Sequence, residues 1–112
     1  MLAPTDQISN PTFVLDLCGL IKKMLNSDVA GKFIATGNEA LSRYDFAVKI
    51  CDYMRWNKNL IIPVETKSLG QIAKRPFNNS THNKKATESF DFVFSPLKKN
   101  LELIKSQIGF AL

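Results

Sequence analysis

The sequence predicts an α/β fold, and three observations carry that prediction. Long apolar stripes recur at helical spacing over 10–27, 42–54 and 95–110. Two shorter runs, 32–36 and 60–64, are apolar and bounded by glycine or proline, as strands are. The two kinds of segment alternate in the order helix, strand, helix, strand, loop, helix. Hydrophobic residues make up 45% of the 112, enough for a core and too many for a disordered tail. The length suits one compact domain or one lobe of a larger protein, and is small for a doubly wound sheet on its own.

Residues 1–9 read as a lead-in. The first helix has Asn10 placed to cap it and Pro11 suited to its first position, with Thr12 as the other candidate cap. Phe13, Val14, Leu17, Cys18, Leu20, Ile21, Met24 and Leu25 then form one wide apolar stripe. Lys22 and Lys23 lie near the C-terminal end, where the helix dipole favours cations, and the helix should stop near Asn26 or Ser27. A short strand is expected from Lys32 to Thr36, between Gly31 and Gly37. Ser42 with Asp45 three residues later is a variant capping box, and Phe46, Ala47, Ile50, Cys51 and Met54 supply the helix's apolar face. "LIIPV" at 60–64 reads as a strand that Pro63 confines to a sheet edge or a strand end. Residues 65–82 read mostly as loop, with a helical turn near Leu69 to Ala73. A short helix should begin at Asn83, and the last helix has Ser95 as cap and Pro96 in its first turn.

Composition narrows the function. The net charge of +5 fits an anionic partner, a phosphorylated small molecule or a nucleic acid. The lysine pairs at 22–23, 84–85 and 98–99 are dispersed, as on solvated helix faces, which argues against nucleic acid. No apolar run is long enough for a membrane span, and no basic start followed by an apolar stretch marks a secretory signal, so the expected location is cytoplasmic. Cys18 and Cys51 fall in helical stripes and are expected to be buried free thiols. One histidine, His82, and no C-x-x-C pair make a metal site unlikely on chemical grounds. The Asn-x-Ser/Thr sequons at 78 and 79 mean little without a secretory route.

There is no glycine-rich phosphate loop. Tyr44 and Lys49 are five apart, so on a helix they do not face each other and cannot form the Tyr-x-x-x-Lys pair of short-chain dehydrogenases. Asp16, Asp45 and Asp52 are accounted for by helix-surface polarity and capping, and His82 reads as a surface residue. The stretch "AKRPFNNS", 73–80, has no helical or strand periodicity. Pro76 lacks a backbone donor and drives Arg75 toward extended backbone, which presents a guanidinium at a surface. Arg75 could bind an anion there, or pair with a carboxylate of its own lobe.

Four stretches together resemble one family. "DQISNPTFVLDL" is similar to the Asp-Gln…Pro-Thr…Asp-Leu segment of the RmlD family of extended short-chain dehydrogenases, the dTDP-4-dehydrorhamnose reductases. "GKFIATGNEALSRYDFAVKI", "AKRPFNNS" and "FDFVFSPLKKNL" resemble three later segments of that family in the same order. The resemblance runs from about Asp6 to Ile108 and covers only the family's C-terminal, substrate-binding portion. It implies that 1–112 is a substrate-binding lobe, a small α/β lobe of helices and a few short strands. The Rossmann part, with the NADP or NAD site and the catalytic pair, would lie elsewhere in the same protein.

The resemblance further implies that Arg75 faces a nucleotide-diphosphate sugar, that Pro76 fixes the loop, and that Asn79 and Ser80 make polar contacts. This chain would then hold no catalytic, cofactor or metal residues, and would show no reductase activity alone. Asp6, Gln7, Pro11 and Thr12 match the segment leading into the lobe, where helix capping and substrate contact both remain open. One departure is visible: Thr81-His82-Asn83 precedes Lys84 where the family usually has Leu-Asp, which leaves the sugar specificity open. The regulatory beta subunit of methionine adenosyltransferase is similar in the same segments, so a non-catalytic docking role is the alternative. A lobe separated from its Rossmann part is expected to expose apolar surface on "LIIPV" and the first helix, and to self-associate.

Overall fold

The structure, a computed structural model, describes residues 1–108. Among these, four helices and four short strands form an α/β lobe: β1 (Leu2–Pro4), β2 (Ile8–Ser9), α1 (Val14–Leu25), β3 (Leu41–Ser42), α2 (Arg43–Met54), β4 (Ile62–Val64), α3 (Lys84–Phe90) and α4 (Leu97–Ile108). The last two residues of the expected final helix, 109 and 110, lie outside the described residues. β1 and β4 pair in parallel, Leu2 opposite Ile62 and Pro4 opposite Val64. β2 and β3 pair antiparallel, Ile8 opposite Ser42. β1 and β4 form a sheet of two strands, so both are edges and Pro63's missing donor interrupts no second ladder.

The core lies between α1 and α3. Leu20, Ala86, Phe90 and Phe94 are buried there, with Met24, Phe33, Ala35 and Phe92 packed around them. Phe33 meets Phe90 edge-on at 4.9 Å between centroids, and Phe92 meets Phe94 at 5.2 Å. The wide stripe of α1 serves this core with one side only. Leu20 is buried, while Val14, Cys18, Ile21 and Leu25, which recur at 14, 18, 21 and 25, form a second face that is exposed. Cys18 is therefore not the buried thiol expected, because two residues before Leu20 it sits nearly on the opposite side of the helix. Cys51 is partly buried, and both thiols are free.

Leu60 and Ile62 are also exposed, so both segments expected to show apolar surface do so. The radius of gyration, 16.4 Å, exceeds the roughly 13 Å of a closed domain of this size, and the molecule is 19 Å thin in one direction. No helix among the described residues is long and apolar enough to cross a membrane.

Four local expectations are corrected. Residues 1–9 are not a bare lead-in; they hold β1 and β2, whose partners lie more than thirty residues away in sequence. The strand expected at 32–36 has no ladder. Its alternation is present, with Phe33 and Ala35 turned toward the core, but side chains serve its carbonyls: Lys85 Nζ donates to Lys32 O and Asn83 Nδ2 to Thr36 O. α1 starts later than expected, with Phe13 at its cap position and no side-chain cap, because Asn10 and Thr12 are engaged by the loops described below. Ser95 does not cap α4 with its own hydroxyl. Its Oγ and N–H donate to the Asp16 carboxylate at 3.1 and 2.9 Å, and Glu39 Oε1 accepts the first helical N–H, that of Leu97, at 3.0 Å.

The expectations for α2 and α3 are met. Ser42 Oγ accepts from Asp45 N at 2.9 Å and donates to Asp45 Oδ2, and α3 begins directly after Asn83. The helical turn expected near Leu69 is a 3-10 turn lying slightly earlier, Thr66–Leu69.

Candidate functional site: the Arg-Pro loop

The segment 6–10 holds both ends of the loop that carries Arg75. On the incoming side, the Asp6 carboxylate accepts from Thr66 N at 3.0 and 3.1 Å and from Thr66 Oγ1 at 2.7 Å. Gln7, buried, donates from Nε2 to Thr66 Oγ1 and to Gln71 Oε1, both at 3.0 Å. The Thr66 hydroxyl holds the Asp6 carboxyl below its ordinary value of 3.8, aided by the Thr66 N–H and the charge of Lys67.

On the outgoing side, Ile8 N donates to Phe77 O at 2.7 Å and Asn79 N donates to Ile8 O at 2.8 Å, a parallel bridge beside β2. Asn10 Oδ1 then accepts from Thr81 N at 2.9 Å, while its Nδ2 donates to Gly37 O at 3.1 Å. Asn10 is thus a clamp between two loops and not a helix cap. Thr12 behaves alike, its Oγ1 accepting from Gly37 N at 3.0 Å. Asp6, Gln7 and Thr12, for which capping and substrate contact were both open, are engaged in holding neighbouring loops.

Between these anchors the apex of the loop is bare. Gln71 through Asn79 are all exposed, Ile72 fully and Phe77 to 64%. Lys74 and Arg75 supply two adjacent positive charges, and no ion pair among the described residues involves either. Among the described residues, Arg75 thus has no carboxylate partner. Pro76 follows it, exposed, one residue before the Ile8 anchor begins. Asn79 is held by its backbone and its side chain faces outward. Ser80 is partly buried; its N–H and Oγ both donate to Asn78 Oδ1, at 2.9 and 2.6 Å, which closes an Asx turn.

Asn83, the last of the three residues at which the chain departs from the expected pattern, bridges two segments: its Nδ2 donates to Thr36 O and to Asn38 Oδ1, both at 2.7 Å. Lys49 pairs with Glu39 at 3.1 Å, away from Tyr44. His82 is exposed, and no group of potential metal ligands gathers among the described residues. The structural roles of Asn10, Thr66, Gln71, Asn78 and Asn83 were not singled out from sequence. Their only signal is a richness in short amide and hydroxyl side chains, which marks loops without saying what they grip.

Chemically, the arrangement is a rigid-ended loop with a planar guanidinium and an ammonium at its tip. That is a means of binding phosphate oxygens or a carboxylate.

Comparison with known proteins bears on this geometry. No curated protein matches the chain by sequence. The fold is similar to dTDP-4-dehydrorhamnose reductase from Bacillus anthracis, solved in complex with NADP: 26% identity and a TM-score of 0.82 over 96% of this chain and 38% of that one. The reductase ortholog from Clostridium acetobutylicum is similar in fold at 24% identity and a TM-score of 0.83, covering 97% of this chain and 39% of that chain. The reductase from Yersinia enterocolitica is similar at 24% identity and 0.77, over 90% and 35%. This chain spans little more than a third of the length of each. The profile of the RmlD substrate binding domain matches residues 3–108, which include both anchors and the apex of the Arg-Pro loop, and the chain belongs to that family.

Proposed function

We propose that this chain, residues 1–112, is the substrate-binding lobe of a larger NAD(P)H-dependent reductase, and that its Arg-Pro loop binds a nucleotide-diphosphate sugar. The substrate proposed is dTDP-4-dehydrorhamnose, whose 4-keto group the parent enzyme reduces on the way to dTDP-L-rhamnose. The observation that carries this reading is Arg75, exposed and without an ion-pair partner among the described residues, at the tip of a loop anchored on both sides, in a chain of the RmlD substrate binding domain family.

Arg75 takes the diphosphate, where a guanidinium can make two parallel charge-assisted hydrogen bonds. Pro76 restricts the loop, so less conformational freedom is lost on binding. Asn79 contributes a polar contact from its exposed side chain. Ser80, whose hydroxyl hydrogen is taken by Asn78, keeps an oxygen free to accept from a sugar hydroxyl.

The residues of this chain do not fit NADP or NAD. There is no glycine-rich phosphate loop, and the described strands form two-stranded pairs without the crevice of a dinucleotide fold. The cofactor is therefore assigned to the Rossmann part of the parent protein. The exposed faces of α1 and β4 are the surfaces this lobe would pack against that part.

The test is a titration of dTDP into the intact parent protein. Arg75→Ala should weaken binding by roughly ten- to a hundredfold, the about 1.5–3 kcal/mol of a hydrogen bond to a charged group. Arg75→Lys should recover only part, since an ammonium lacks the planar fork. Melting temperatures should be unchanged in both. Unaltered dTDP affinity in Arg75→Ala would remove the phosphate role.

A further inference from the structure

The apex that carries Arg75 stands on two consecutive residues. Gln7 holds one foot: its Nε2 donates to Gln71 Oε1 at 3.0 Å. Ile8 holds the other: its N–H donates to Phe77 O and its carbonyl accepts from Asn79 N. Successive α-carbons are about 3.8 Å apart, so the fold brings the two feet of the span 72–76 side by side. All residues of that span are exposed, so the position of Arg75 is set at the feet. The feet differ in kind. The Ile8 foot is backbone alone, which any residue but proline supplies. The Gln7 foot is a side chain and depends on residue type.

Gln7 is itself fixed. It is 4% exposed, and its carbonyl accepts from the N–H of Arg43, the first residue of α2, at 3.1 Å. Its amide gives a second hydrogen to Thr66 Oγ1, which donates onward to Asp6 Oδ1 at 2.7 Å. An ionised carboxylate can only accept, so Asp6 takes the Thr66 hydrogen and the chain of bonds runs one way, with Gln7 as donor. Stability does not require such an amide, since an apolar side chain of the same shape in place of a hydrogen-bonded one is nearly neutral. Without the amide, Thr66 would keep its bond to Asp6, and the exposed Gln71 would turn to water. What the amide adds is direction, given to the chain four residues before Arg75.

We propose that Gln7 is the positioning residue of the Arg-Pro loop, and that through Gln71 it fixes where the Arg75 guanidinium meets the diphosphate. This inference rests on the Arg75 reading and deepens it. Gln7 itself touches no ligand; it lowers the conformational freedom that the loop loses on binding.

The test is a double-mutant cycle, read by titration of dTDP into the intact parent protein. Gln7→Met keeps the length of the side chain and loses its donors. It should weaken dTDP binding about fivefold, as one neutral hydrogen bond implies, at a nearly unchanged melting temperature. In an Arg75→Ala background the same change should have no effect on affinity, because Gln7 acts through Arg75. Gln71→Leu is the second arm, and decides alone if Gln7→Met unfolds. It removes the same bond from the exposed side, should give the same fivefold loss, and that loss too should vanish without Arg75. In both variants 15N relaxation should show the Lys74 and Arg75 amides more mobile than in the wild type. An Arg75→Ala variant with unaltered dTDP affinity would remove the phosphate reading and this inference with it. Weakened binding in Arg75→Ala beside wild-type affinity in Gln71→Leu would overturn the positioning role alone. So would an equal loss from Gln7→Met with and without Arg75, which is the mark of a merely structural side chain.

Discussion

Around Phe94 the molecule is closely packed. Leu20, Ala86, Phe90 and Phe94 are each no more than 6% exposed, and two pairs of aromatic rings lock edge to face. Around Ile50 it is not. α2 buries none of its residues fully, and its apolar side faces a cavity across from α4. Both helices carry apolar stripes, so the difference lies in what each stripe meets. α1 meets α3 and three phenylalanines within van der Waals reach, where dispersion and burial act together. α2 meets α4 through a gap, held at its end by carboxylates: Glu39 on Leu97 N, and Asp16 on Ser95. Packing holds one half and polar latches hold the other.

The sharpest way to break this comparison is to truncate one side chain in each half. Phe94→Ala should cost about 3–5 kcal/mol, the range for removing a buried aromatic ring. Ile50→Ala, half-buried beside an existing void, should cost only about 1 kcal/mol, because few packed atoms lose a neighbour. Urea midpoints of the two variants in dilute solution decide it. Equal losses would mean that the α2–α4 half is as tightly packed as the other.

Gly37 joins the two halves, and its replacement should have the next largest effect. A methyl group there would overlap the Pro11 carbonyl oxygen, a backbone atom that cannot swing aside. The same backbone approach allows Gly37 N to reach Thr12 Oγ1 and Gly37 O to accept from Asn10. Gly37→Ala should therefore cost roughly 1–3 kcal/mol as an overpacked contact, and should shift the amides of Asn10 and Thr81 as the clamp opens. Gly70→Ala is the control. Its left-handed backbone, φ 59°, is strained for alanine, but nothing lies near the added methyl, so its cost should be smaller, about 1 kcal/mol, with the clamp intact. A Gly37→Ala variant as stable as wild type would mean that the 11–13 segment yields freely.

The residues that sequence reading placed well are those whose partners are close by. Ser42 and Asp45 form their cap because both groups lie within one helical turn, and the Asn83 boundary and the edge character of Pro63 follow from equally local rules. Residues whose partners are distant were misplaced. Asn10 has every feature of a cap, yet it is taken by Thr81 and Gly37, 71 and 27 residues away. Ile8 and Ser9 look like unstructured lead-in until β3 and the Arg-Pro loop arrive beside them. Cys18 shows the complementary limit: periodicity identifies an apolar stripe but not how much of its width a neighbour will cover. At the candidate site, the proline and the resemblance pointed to Arg75, but nothing local told that segment 6–10 would grip both ends of its loop.

The smallest expected effect concerns acid. If packing holds the α1–α3 half and carboxylates hold much of the rest, lowering the pH should loosen the second while sparing the first. Asp6 is the clearest latch, bonded three times to Thr66, with its carboxyl below the ordinary 3.8. A lowered folded value means that the unfolded chain binds the proton more readily. The stability Asp6 contributes is therefore complete above about 3.8 and is lost as the pH falls through the lower folded value. Glu39, also lowered, follows the same sign, with its contribution complete above its ordinary 4.5. Amide exchange measured at pH 6 and at pH 3 should show Thr66 and Leu97 losing protection, after correction for intrinsic rates, while the amides of Ala86 and Phe90 keep theirs. Asp6→Asn, which cannot ionise, should flatten the pH response at Thr66 and leave that at Leu97 unchanged. Uniform loss across all four amides would show that the two halves unfold as one unit, and the contrast between packed and latched regions would then describe contacts without describing stability.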